Sequence, residues 1–221
     1  LWPAWDLHEM SYLIQGLVAD YKHFRADESL RAARRLADYI LAVWSAQPGR
    51  NPAPRLAENL PTCGFPSALL GLYGATGDER YLDFLLTQRR LAEWDLPIIL
   101  GRWGNVAGHA YGYIARCLDL IRLHAVRPDA RLLEPTRRAL RFMLAGDGMS
   151  ITGSAGYMEC WHDSQFGAHK LGETCFTAYW IRTLDALLRL TGNPLFGDLM
   201  ERAIFNALFA AQSPDGRQLR Y

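Results

Sequence analysis

The breaks between helical stretches recur at a nearly constant interval, and that interval limits the folds open to this chain. Asp27, Asp78 and Asp129 follow one another at intervals of 51 residues, and Asn193 follows after 64. Each closes one apolar helical stretch and stands where an N-cap residue of the next helix is expected. Fifty-one residues accommodate two ordinary helices with their loops. The pattern therefore predicts four helix–turn–helix units.

Apolar residues recur at helical spacing along almost the whole sequence, and strand-like alternation is nearly absent. Leu13, Leu17 and Tyr21, for example, are predicted to share one helix face. The fold class is therefore all-α, built from stacked helical hairpins that form an open solenoid or close into an α/α toroid. A toroid needs about six hairpins, and four would leave apolar flanks uncovered, so we interpret residues 1–221 as a fragment that is cut at both ends. If the fold is a toroid, it is incomplete, with about four of its six hairpins.

Composition excludes several classes of partner. The 24 basic and 23 acidic residues leave a net charge of +1, so no basic field would attract nucleic acid or an anionic membrane. No apolar run approaches the roughly 20 residues of a membrane span. The four cysteines are few and far apart, which predicts reduced thiols and favours a cytoplasmic protein.

The last repeat carries an insertion between Gly146 and Gly172, rich in Gly, Ser, His and aromatic residues. A long polar segment in a tight repeat is where binding and catalysis usually lie. Glu159 and Glu173 flank its second half, and Tyr157 and Trp161 supply aromatic rings. Paired carboxylates beside aromatic platforms are typical of carbohydrate chemistry, so we predict a sugar or oligosaccharide substrate.

The end of the insertion offers possible metal ligands. Cys175 stands at a predicted helix start with Thr174 as the expected cap, a position that favours the thiolate. A closed local zinc site could use two cysteines and two histidines of this segment, although their spacing matches no standard zinc motif. Those four residues are Cys160, His162, His169 and Cys175.

Several segments together resemble the β-L-arabinofuranosidase family, glycoside hydrolase family 127. The most specific block runs from Gly-Glu-Thr-Cys at 172–175 to Met-Glu-Arg-Ala-Ile-Phe-Asn at 200–206. The stretches YLIQGLV (12–18), GLYGATGDERYLDF (71–84) and VAGHAYGYI (106–114) match in the same order. The resemblance covers nearly the whole chain.

The resemblance implies an (α/α)₆ toroid and a retaining glycosidase that depends on zinc. Glu173 and Cys175 match two zinc ligands, and an adjacent Cys pair further along the family sequence supplies the others, one of them the nucleophile. Glu159 matches the general acid/base, and His109 matches a histidine of the sugar pocket. No adjacent Cys pair occurs in these 221 residues, so the zinc site is expected to be incomplete, the nucleophile to lie beyond the C-terminus, and this chain alone to be inactive.

Departures from the family pattern affect the sugar pocket. Phe65 and Tyr12 stand where the family usually has histidines, so specificity for arabinofuranosides is open. Two other interpretations remain at this stage: a different toroid enzyme, such as an unsaturated uronyl hydrolase or a lyase, and a non-catalytic helical-repeat binding module. Individual residues have structural alternatives too: His109 as a helix cap, and Tyr157 and Trp161 as anchors that pin the insertion.

Overall fold

The computed structural model describes residues 5–46, 62–101, 106–164 and 171–220. The chain divides into two compact units, Leu1–Trp94 and Asp95–Tyr221. Within the described ranges, no helix is both long and apolar enough to cross a membrane.

The described part of the first unit contains four α-helices in two consecutive pairs. The helices are α1 (Asp6–Phe24), α2 (Asp27–Ala46), α3 (Phe65–Thr76) and α4 (Glu79–Asp83). A π-helical turn, Phe84–Gln88, and a 3₁₀ turn, Leu91–Glu93, extend the last of them. The core of this unit includes the rings of Trp44, Phe65 and Phe84, whose centroids lie 5.9–6.2 Å apart.

In the second unit, the described residues form four more α-helices. They are α5 (Ala110–Val126), α6 (Glu134–Ala145), α7 (Thr174–Thr191) and α8 (Pro194–Ala203). A 3₁₀ turn, Ala130–Leu133, leads into α6. The π-helical turn Ile204–Leu208 and the 3₁₀ turn Phe209–Ala211 extend α8. Helix α5 packs along α7, and every residue of α5 from Ala110 to Ile121 is buried.

The predicted repeat turns are largely confirmed. Asp78, Asp129 and Asn193 are N-caps whose side-chain oxygens accept the N–H of the second residue after them, at 3.2, 2.9 and 3.0 Å. Asp27 departs from the pattern because it is the first residue of α2 rather than its cap. The helices thus form four consecutive pairs in the described part of the chain, as the spacing predicts.

Helix α1 packs with a different face from the one that Leu13, Leu17 and Tyr21 share. The buried residues are Leu7, Ser11, Ile14 and Val18, whereas Leu13 is 60% exposed. Both sets follow helical spacing, and they differ by one residue in phase. Leu13 and Ile14 are adjacent apolar residues, so periodicity alone does not select the face that packs.

Candidate active site

The insertion between α6 and α7 folds back on itself, so that its end lies beside its middle part. Gly172 N–H donates to the carbonyl of Gly156 at 3.0 Å, and Glu173 N–H donates to that of Ala155 at 3.1 Å. Trp161 N–H donates to the carbonyl of Gly108, just before α5, at 3.0 Å. These long-range backbone contacts bring Glu159, Glu173 and the start of α5 together.

Glu159 lies on a two-residue turn with an unusual backbone. Tyr157 and Cys160 exchange two backbone hydrogen bonds of 3.0 Å around it. The central residues, Met158 and Glu159, have φ values of +48° and +69°. Left-handed backbone costs a residue with a side chain roughly 1–2 kcal/mol, and turns of this kind normally carry Asn, Asp or Gly. Strain of this sort clusters at functional sites.

The surroundings tie Glu159 at three points. Its N–H donates to Oε1 of Glu173, and its carbonyl accepts the N–H of Ala110, the first residue of α5, at 3.0 Å. Its carboxylate Oε2 lies 3.5 Å from Nε2 of His109. The carboxylate is therefore held in one place although its side chain remains 30% exposed.

His109 is the N-cap of α5, which confirms the structural alternative raised for it. Its Nδ1 accepts the N–H of Gly112 at 3.2 Å. A backbone N–H can only donate, so in the neutral ring the proton lies on Nε2, the atom that faces Glu159. Burial lowers the pKa of His109 and the Glu159 carboxylate opposes this shift. His109 is thus a neutral donor aimed at the carboxylate.

Glu173 is a buried carboxylate, 5% exposed. Its Oε2 is inaccessible to solvent and has no hydrogen-bond partner among the residues that the structure describes. Burial raises its pKa, as does the neighbouring Glu159 carboxylate, while the N–H of Glu159 acts in the opposite direction. An oxygen of this kind is a place for a proton or a cation.

The start of α7 differs by one residue from the prediction. Glu173 is the N-cap, with φ −73° and ψ 140°, and it makes no side-chain cap bond. Thr174, the predicted cap, is the first helical residue, and its hydroxyl donates to the carbonyl of Arg220 at 2.5 Å. Cys175 is half-buried in the first turn of α7.

A cavity of about 710 Å³ opens beside the two glutamates. Glu159 and Glu173 line it together with Thr174, whereas Cys175 is not among its lining residues. Asn206 and Arg220 line it as well, and sequence reasoning did not single them out. Asn206 belongs to the π-helical turn after α8. Turns of that type are frequent at functional sites, but no sequence pattern predicted a π-helical turn here.

The two predicted aromatic platforms lie outside the wall of this cavity. Trp161 is 1% exposed, and the rings of Tyr113, Phe142 and Phe176 pack edge-on against it with centroids 5.3–5.7 Å away. Tyr157 is half-buried, and its ring lies 5.3 Å from that of His162. The packing of Trp161 favours the alternative in which it pins the insertion. Contact of either ring with substrate stays a prediction.

The local four-residue zinc site cannot be assembled from the described residues. His169 lies outside them, and Nδ1 of His162 accepts the N–H of Ser164 at 3.0 Å. Over the described ranges, no group of three or more His, Cys, Asp or Glu side chains is arranged to hold a metal ion. The role of Glu173 and Cys175 as zinc ligands stays a prediction.

Comparison with known proteins assigns the chain to a family. The family model described as β-L-arabinofuranosidase, GH127 catalytic domain, matches residues 1–221. No curated protein matches the chain. A GH127 β-arabinofuranosidase is similar to it at 22% identity and TM-score 0.72, and the match covers 97% of this chain and 35% of that one.

Two further structures share the fold. A GH127 β-L-arabinofuranosidase from Geobacillus stearothermophilus T6 gives 21% identity and TM-score 0.73, over 98% of this chain and 38% of that one. The Lin0763 protein from Listeria innocua gives 14% and 0.68, over 97% of this chain and 61% of that one. The chain thus spans little more than a third of the length of the two GH127 structures.

At such identities the likeness concerns the fold, and it confirms the predicted all-α class and its consistency with an α/α toroid. The match of the family model extends from the first residue to the last. The chain therefore belongs to the β-L-arabinofuranosidase family, glycoside hydrolase family 127, and is similar to the catalytic domain of that family.

Proposed function

We propose that the full-length protein is a retaining glycosidase that removes a terminal L-arabinofuranoside-like sugar, with Glu159 as general acid/base. The observation that carries the proposal is the position of Glu159. Glu159 lines a cavity of about 710 Å³, and its carboxylate Oε2 lies 3.5 Å from Nε2 of His109. Membership of family 127 supplies the reaction class.

Glu159 would act twice. Its protonated carboxyl first donates to the glycosidic oxygen as the leaving group departs, and its carboxylate then takes a proton from the attacking water. His109 Nε2–H fixes the orientation of the carboxyl, and His109 stays neutral because burial lowers its pKa. Contact of His109 with sugar hydroxyls remains part of the proposal.

Glu173 and Cys175 would hold zinc. A carboxylate and a thiolate are both ligands that zinc accepts. The buried Oε2 of Glu173, which no described residue hydrogen-bonds, fits such a role. Zinc, when bound, keeps a cysteine sulfur as the thiolate at neutral pH. We propose that the nucleophile is a cysteine outside residues 1–221, and that residues 1–221 alone are inactive.

The substrate would be a small molecule or an oligosaccharide. Phe65, where the family usually has a histidine, is fully buried in the core of the first unit, so this position offers no polar contact to a sugar.

All four cysteines are thiols rather than disulfides, which supports our proposal of a cytoplasmic protein.

The test is the variant Glu159→Gln in the full-length protein. We expect kcat/KM on an arabinofuranosyl oligosaccharide to fall by about 10²–10⁴, because protonation of a poor leaving group is lost. An aryl arabinofuranoside with an acidic phenol should suffer less, and added azide should restore its turnover because azide needs no base.

The matched control is Asp163→Asn, which removes an exposed carboxylate of the same insertion. It should leave both substrates unaffected. Equal losses on the two substrates, or a Glu159→Gln enzyme with normal activity, would remove Glu159 from the acid/base role.

A further inference from the structure

The two oxygens of the Glu173 carboxylate have different surroundings. Oε1 accepts the backbone N–H of Glu159, which is 14 residues away in sequence, while Oε2 is buried and finds no hydrogen-bond partner within the described ranges. We propose that Glu173 is a positioning residue for the acid/base: Oε1 fixes the turn that carries Glu159, and Oε2 is left for the metal. This inference rests on the proposed role of Glu159.

The turn needs an external support. The two hydrogen bonds that close it join Tyr157 to Cys160, and neither involves the N–H of Glu159. Met158 and Glu159 both have left-handed backbone without being Gly, Asn or Asp. Residues in such conformations persist where the surrounding structure determines them. The bond from Glu173 is the contact that holds the N–H side of Glu159.

Glu173 is suited to this task because its own backbone is fixed. Its N–H donates to Ala155 at 3.1 Å, and its carbonyl accepts both the N–H and the hydroxyl of Thr177, at 2.9 and 2.8 Å. It stands at an N-cap position, where Ser, Thr, Asp or Asn would normally bond the helix. Its side chain makes no such bond and reaches the turn instead.

Gly156 keeps the space for the second oxygen. A Cβ at this position would lie 2.8 Å from Oε2 of Glu173, and the residue has φ +92°. A side chain here would therefore push the carboxylate away from its place as well as strain the backbone. The arrangement links the proposed metal ligand and the acid/base through one carboxylate.

The experiment compares Glu173→Ala with Glu173→Gln in the full-length protein after removal of metal by a chelator. Gln keeps an oxygen that can accept the N–H of Glu159, and Ala does not. Hydrogen exchange of the Glu159 amide is followed by mass spectrometry of peptides covering residues 156–161, with fragmentation to resolve single amides. Peptides from α5 and α7 report whether the variants are folded.

We expect exchange of the Glu159 amide to be at least tenfold faster in Glu173→Ala than in the parent, and within threefold of the parent in Glu173→Gln. An unchanged rate in Glu173→Ala, or equal acceleration in both variants, would overturn the proposal. Because the protein is metal-free, neither outcome depends on the loss of zinc.

A second variant, Gly156→Ala, keeps the proposal testable if Glu173→Ala does not fold. It leaves the carboxylate in the chain but displaces it, and should accelerate the same amide at least threefold. In the metal-loaded enzyme this variant should lose more kcat on an oligosaccharide than on an activated aryl glycoside, as expected for a misplaced acid. Failure of the glycosidase proposal would leave the exchange result standing, so the two ideas fail separately.

Discussion

Helices α8 and α7 begin in opposite ways. At α8, the side chain of Asn193 accepts the N–H of Leu195, two residues on, at 3.0 Å. At α7, the side chain of the cap residue Glu173 makes no hydrogen bond to its own helix and instead accepts the N–H of Glu159. The first start completes a repeat turn with local contacts, and the second gives up a local contact to organise a site.

Charge follows the same division. Asp78 caps α4 at the surface, and its pKa is lowered because its carboxylate bonds the Arg80 guanidinium. Glu173 is buried, no cationic side chain in the described part of the chain bonds its carboxylate, and its pKa is raised. One kind of helix start stabilises an ionised carboxylate, whereas the other destabilises it, which is the usual condition of a functional group.

The largest expected effect tests whether the insertion is held as firmly as the repeats. Trp161→Ala should lower the free energy of unfolding by about 3–5 kcal/mol, because it removes a fully buried ring from a cluster of three others. Denaturant titration of the parent and the variant measures the change.

The control for that prediction is Ile151→Ala in the same insertion. Ile151 is 80% exposed, so its truncation should change the free energy of unfolding by less than about 0.5 kcal/mol. A cost for Trp161→Ala as small as this would mean that the insertion is a loosely attached loop.

A smaller effect is expected at the local cap of α8. Asn193→Ala should cost about 1 kcal/mol of unfolding free energy, because the N–H of Leu195 loses its acceptor. Asn193→Asp keeps an oxygen at that place and should change the free energy by less than about 0.5 kcal/mol. Equal losses in the two variants would show that the cap bond is not the source of stability.

The smallest effect concerns pH at the cap of α4. Because the pKa of Asp78 is lowered in the folded state, its contribution is present above the unfolded value of about 4 and is lost as pH falls through the folded value. The stability difference between the parent and Asp78→Asn should therefore shrink below pH 4. High salt should weaken it, since Asp78 and Arg80 lie at the surface. A difference that grows on acidification would contradict the assignment.

The regular part of the fold could be predicted because its signals are local. Asp78, Asp129 and Asn193 each bond the backbone two residues further on, and such contacts recur wherever the same short pattern recurs. The side of α1 that packs could not be predicted, because Leu13 and Ile14 offer the same hydrophobic character one position apart. Packing against another helix chooses between them.

The sequence named individual candidate residues, whose roles stay predictions, but it did not predict how they are arranged. The family motif pointed to Glu159 and Glu173, yet nothing in the sequence says that one bonds the backbone of the other across 14 residues. Asn206 reaches the cavity wall from a π-helical turn, and a one-residue change of helical pitch leaves no compositional mark. Trp161 was predicted to be a sugar platform, because the sequence does not show whether an aromatic ring is exposed or buried.

Met158 gives the molecule room for evolutionary change beside its most constrained residue. It is left-handed, at φ +48°, and its side chain is 59% exposed. Gly or Asn at this position would relax the backbone without removing a packed contact. A substitution of Met158 by Gly or Asn would therefore give a more stable turn, whereas the present residue keeps a strained backbone next to the proposed acid, Glu159.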